Sequence, residues 1–72
     1  MTRGPERPGE RVERDLRDRI AAGEWQLGEA LPTVAALTQH YGVSPGVVQR
    51  VLRRLAADGL VNVVPRWGTF RA

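Results

Sequence analysis

The spacing of apolar residues changes along this chain, and each change marks an element. Val12, Leu16 and Ile20 recur every four residues, one stripe of a helix, and Gly23 follows as a left-handed cap. This predicts a first helix from Glu10. In the connector 23–33, Trp25, Leu27 and Leu31 alternate with polar residues around a turn at Gly28, with Trp25 expected to plug the edge of the core. Thr33 follows Pro32 as an N-cap for a short second helix, Val34 to Tyr41, which carries Leu37 inward and is closed by Gly42. Ser44 caps a third helix, predicted from Pro45 to about Asp58, with Val48, Val51, Leu52 and Leu55 at i, i+3, i+4 and i+7. Gly59 ends it. The β-branched run 60–64, turn chemistry at 65–68 and a return strand at 69–72 complete the order helix, helix, helix, hairpin. Residues 1–9, with two Pro, two Gly and no periodicity, predict a flexible arm ahead of one domain, 10–72.

The third helix has an unusual entrance. Pro45 and Gly46 are poor helix formers, yet both suit a first turn. Proline there loses only an N–H that has no helical partner, and glycine leaves the backbone open to close approach. At about 100° per residue, the apolar face lies within roughly 60° of Val48. Gln49, Arg53, Gly46 and Arg50 fall between roughly 100° and 200° and share the opposite arc. Arg54 falls on the other flank, as a phosphate or solvent residue.

Charge divides the chain in two. Residues 1–29 carry six Arg and seven acids, whereas residues 30–72 carry five Arg and one acid, Asp58. In the first helix Glu10 precedes Arg14, Glu13 precedes Arg17 and Asp15 precedes Arg19 by four residues, each pair worth about 0.2–0.5 kcal/mol. That helix is expected to be a self-neutralised scaffold, while the second half offers a sparse cationic surface suited to a polyanion. All 11 cations are Arg, a choice that fits bidentate phosphate contacts and GC-rich coding alike.

The composition excludes several chemistries. With 72 residues there is room for one small domain with a thin core, and no cysteine for disulfides, thiolate metal sites or nucleophilic catalysis. The single His40 has no cysteine or carboxylate at ligand spacing, so neither an enzyme nor a cofactor is expected. Its position near the end of the second helix suits a dipole-favoured or phosphate-facing surface residue. No apolar run approaches a membrane span and no signal-peptide pattern occurs, which makes the cytoplasm the expected compartment.

Two short helices joined by Gly42-Val43-Ser44 form a helix-turn-helix, whose second helix enters the DNA major groove by its first turn. The candidate contacts are Ser44, Pro45, Gly46, Gln49, Arg50 and Arg53, with Gln suited to adenine and Arg to guanine or phosphate. The hairpin adds Arg66, Trp67 and Gly68 at a tip, Gly68 allowing the tight turn and Arg66 reaching the adjacent backbone or minor groove. Trp67 either folds back on the core, the favoured reading, or packs against sugar and backbone.

These residues resemble the winged helix-turn-helix domain of GntR-type bacterial transcription regulators. The likeness covers about residues 10–71 and rests on Gly23, Gly28, Leu31-Pro32-Thr33, Gly42-Val43-Ser44, Leu52 with Leu55, Gly59-Leu60-Val61 and Gly68-Thr69-Phe70. It implies an α+β, mainly α, three-helix fold with a C-terminal wing. It also implies a homodimer on a palindromic double-stranded operator, with Thr33 and Ser44 keeping capping and phosphate-contacting roles. The family commonly has Arg where this chain has Ala35, Pro45 and Gln49, so its usual operator sequence does not carry over. Gln49 suggests an adenine preference, with Arg50 and Arg53 as partial substitutes. Members typically carry a larger ligand-binding domain after the wing. A chain ending at Ala72 is then an excised DNA-binding domain or a minimal regulator, and no effector pocket is expected in it. The competing reading is a winged-helix protein-interaction module that has lost DNA binding. Salt-sensitive binding to duplex DNA separates the two.

Overall fold

The computed structural model describes residues 7–72. Three helices, α1 (Pro8–Ala21), α2 (Val34–Tyr41) and α3 (Pro45–Ala57), precede two strands, β1 (Val61–Val64) and β2 (Gly68–Arg71). Helix α1 starts two residues before the expected Glu10: Pro8 takes its first turn and the Arg7 carbonyl accepts from the Arg11 N–H at 3.1 Å. Pro8 and Gly9 are thus helix rather than arm, Arg7 stands at the N-cap position, and residues 1–6 of the expected arm lie outside the described residues.

The core is the one that the apolar spacing predicts. Val12, Leu16 and Ile20 of α1 meet Val48, Val51, Leu52 and Leu55 of α3, and Leu37, Trp25, Leu31 and Val61 close its sides. Of Trp25, Leu27 and Leu31 in the connector, Leu27 stays outside, at 78% exposed. The corner between α2 and α3 is set by Gly42, whose φ of 65° is a left-handed turn that a side chain would strain. Its N–H donates to the Thr38 carbonyl at 2.9 Å, and the chain turns directly into the Ser44 cap.

The hairpin is antiparallel, with Val61 opposite Arg71 and Val64 opposite Gly68. The connector adds something that its sequence conceals. Ala30 forms a bridge with Phe70, flanked by bonds from the Leu31 N–H to the Thr69 carbonyl (2.8 Å) and from the Arg71 N–H to the Glu29 carbonyl (2.8 Å). The base of the hairpin is therefore held on its second edge, and Thr69 is buried beneath it.

The charges of α1 are not spent only on each other. Glu13 and Arg17 do pair at 3.0 Å, but Arg17 also bonds Asp58 at the end of α3, and Glu13 also takes Arg54 at 3.3 Å. Arg19 grips Glu24 with two bonds (2.5 and 2.8 Å), lies over the Trp25 ring at 4.8 Å and donates to the Tyr41 hydroxyl at 3.0 Å. That hydroxyl donates in turn to Asp15 at 2.5 Å. Burial, reinforced by the bond to Asp15, pushes the phenol above its ordinary value and keeps it a neutral donor. The helix is a scaffold as expected, but one that clamps its neighbours.

Tyr41→Phe removes the hydroxyl shared by Asp15 and Arg19 and keeps the ring. It is expected to lower stability by about 1 kcal/mol and Tm by roughly 4–8 °C. Thermal melting followed by circular dichroism reads this directly, and an unchanged Tm would show that the clamp contributes nothing.

Candidate nucleic-acid interface

One face of α3 is committed to the core, which leaves Gly46, Gln49, Arg50 and Arg53 exposed. The first turn is prepared by its cap: the Ser44 Oγ accepts from the Val47 N–H at 3.3 Å. The Thr33 Oγ1 does the same for α2, accepting from the Ala36 N–H at 3.1 Å. Each hydroxyl spends an acceptor lone pair on its helix and retains an O–H to donate elsewhere. Pro45 occupies the first helical position, as expected.

Gly46 is not required by the fold. Outside its own turn of helix, a Cβ placed there would meet nothing closer than the Ser44 Oγ, at an ordinary 3.9 Å. A helix former would be more favourable than glycine by about 0.5–1 kcal/mol. Internal packing therefore gives no reason for the bare entrance.

A groove of about 620 Å³ runs between α3 and the wing. Thr33, Gln49, Arg53, Arg66, Trp67 and Gly68 all line it, and no carboxylate does. Six of the ten residues singled out from sequence thus converge on one surface carrying two guanidinium groups. Arg50 does not join them. It lines a separate cleft of about 350 Å³ with Arg7, Val47 and Arg54, on the side of α1. A helical wheel gives an angle but not the neighbour at that angle, and here the neighbours of Arg50 and Arg53 differ. Arg54, expected as a phosphate or solvent residue, leans on Glu13. His40 is exposed, with its ring edge-on to Tyr41 at 4.7 Å between centroids.

The wing tip departs most from expectation. The Trp67 N–H donates to the Val64 carbonyl at 3.0 Å, closing a four-residue turn through Pro65 and Arg66. Arg66, at φ 70°, supplies the left-handed residue. Pro at the second position and a positive φ at the third is the pattern of a type II turn. Gly68, expected to make the turn, is instead the first residue of β2, opposite Val64. Trp67 does not fold back on the core: it is 81% exposed. It sits at the end of the tip turn, and Trp25 fills the core edge, as expected of that residue.

Known proteins share this fold. The family profile described as "Bacterial regulatory proteins, gntR family" matches residues 8–70. The mannosyl-D-glycerate transport/metabolism system repressor MngR of Escherichia coli (strain K12) is 38% identical over 55 residues, 76% of this chain and 23% of that protein. The histidine utilization repressor of Klebsiella aerogenes is 32% identical over 63 residues, 88% of this chain and 26% of that protein. The chain thus spans about a quarter of the length of these relatives. Among solved structures, AraR(DBD) in complex with operator ORX1 superposes with a TM-score of 0.90 at 26% identity, over 100% of this chain and 93% of that one. A putative GntR-family transcriptional regulator superposes with a TM-score of 0.81 at 35% identity, over 92% of this chain and 26% of that one. With a three-helix winged fold and a family match over nearly its whole length, the chain belongs to the GntR family of bacterial regulatory proteins.

Proposed function

We propose that this chain is the DNA-binding part of a GntR-type transcription regulator, reading double-stranded operator DNA rather than catalysing a reaction. The observation that carries this reading is the groove between α3 and the wing, where Gln49, Arg53 and Arg66 line one carboxylate-free surface and the first turn of the helix includes the bare Gly46. A B-DNA major groove, about 12 Å wide, admits a helix presented in this way. Gln49 pairs with adenine, Arg53 takes guanine or phosphate, and Gly46 lets the α3 backbone approach closely. The O–H groups of Thr33 and Ser44 donate to phosphates at two helix N-termini, where the helix dipole favours an anion. Arg66, Trp67 and Gly68 bear on the adjacent backbone or minor groove. Arg50, on the α1 side, takes a phosphate of the opposite flank.

AraR(DBD), a close structural match, was solved on an operator, which supports the same partner here. Two copies on a palindromic operator follow from the way such domains pair half-sites about one helical turn, or a multiple of it, apart. Among the described residues no helix is long and apolar enough to cross a membrane, and a regulator of bacterial genes works in the cytoplasm.

Selection of duplexes from a random pool, followed by binding measured across salt concentrations, tests the reading. Affinity is expected to fall steeply with salt as phosphate counterions are released. Arg53→Ala is expected to weaken all sequences alike and to flatten the salt slope by about one unit. Gln49→Ala is expected to relax preference at one base position, by about 1–3 kcal/mol. Gly46→Ala separates fold from function: it should raise stability by up to about 1 kcal/mol yet weaken DNA binding roughly tenfold. Should all three variants bind like the native chain, this face of α3 is not the reading surface.

A further inference from the structure

Two residues at the wing tip stand where the fold alone gives them no reason to be. Arg66 holds a left-handed φ of 70°, a conformation that costs an L-residue about 1–2 kcal/mol and that glycine would adopt without strain. Trp67, next to it, leaves its indole 81% exposed. The tip is not a loose end, because β2 is paired with β1 on one side and bridged to Ala30 on the other. A strained cation and an exposed indole, side by side on a clamped hairpin, point outward to a ligand.

That ligand must accept a guanidinium and a flat apolar ring together, next to the groove that α3 presents. A narrow DNA minor groove does both. Its negative potential is deepest in A·T tracts and draws arginine inward, and side chains can wedge against its walls and base steps. The 2-amino group of guanine obstructs the same floor in G·C pairs. Resting on the DNA-binding reading above, we propose that the wing tip selects base composition. Arg66 enters the minor groove and favours A·T pairs flanking the site read by α3, while Trp67 seats against the groove wall.

The test uses the full chain and a duplex recovered from a random pool, at one fixed salt concentration. The wing-side flank is made all A·T, all G·C or all inosine·C, the last presenting G·C acceptors in the major groove without the minor-groove amino group. The G·C flank should weaken binding about fivefold or more, and inosine·C should restore it to within about twofold of A·T. Arg66→Gly, which relaxes the turn and so should fold at least as well, should bind the three flanks equally. Tryptophan emission should shift to the blue on the A·T and inosine·C duplexes, and Trp67→Phe should abolish the shift because Trp25 is already buried. Inosine·C binding as weakly as G·C, equal binding of all flanks by the native chain, discrimination surviving in Arg66→Gly, or a shift that persists in Trp67→Phe would each overturn the proposal. The DNA-binding reading would survive every one of those results. Failure to bind any duplex even at low salt would instead overturn that reading itself.

Discussion

Everything on the surface of this molecule depends on how completely α3 is divided. Its inner face, Val48, Val51, Leu52 and Leu55, is buried against α1, so the helix has no freedom to roll. Burying one such side chain is worth about 1.5–3 kcal/mol, and rotation about the helix axis would surrender several at once. The opposite face is consequently fixed in direction as well as exposed. The Gly42 turn and the Ser44 cap then decide where the helix begins, which sets the height of Gly46 and Gln49 above the surface.

The ion pairs matter less for their energy than for their layout. Exposed pairs of this kind contribute about 0–1 kcal/mol each. Here, however, Glu13 holds both Arg17 and Arg54, and Arg17 reaches on to Asp58, so α1 is fastened to the second half of α3 as well as to its own next turn. Arg19 does the equivalent in the last turn of α1, joining Glu24, Trp25 and Tyr41. Glu24 is held below its ordinary carboxyl range by the bond from Arg19. The acids of the chain are largely gathered around α1, and the groove beside α3 is left without any.

The helices and most of the core were legible because their signals are local. A helical apolar period, a Thr or Ser cap and a glycine stop are each read within a few positions: α3 carries all three, and α1 carries the period and the glycine that follows it. What stayed hidden depends on partners far along the chain. Ala30 has no strand signal of its own and pairs only because Phe70 returns beside it. Arg50 and Arg53 look alike on a wheel, and they part company only because α1 stands on one side and the wing on the other. At the tip, a glycine at 68 drew the turn toward itself, whereas the turn runs through Pro65 and places its positive φ at residue 66, a conformation that an arginine signals poorly.

The bridge between Ala30 and Phe70 ties the base of the hairpin to the connector between the first two helices. Trp25 and Leu31 of that connector and Val61 of β1 lie in the same core cluster as the inner face of α3, so connector, hairpin and helix are seated as one body. The angle between the two reading elements is thus held by a segment whose last residue, Thr33, itself lines the groove.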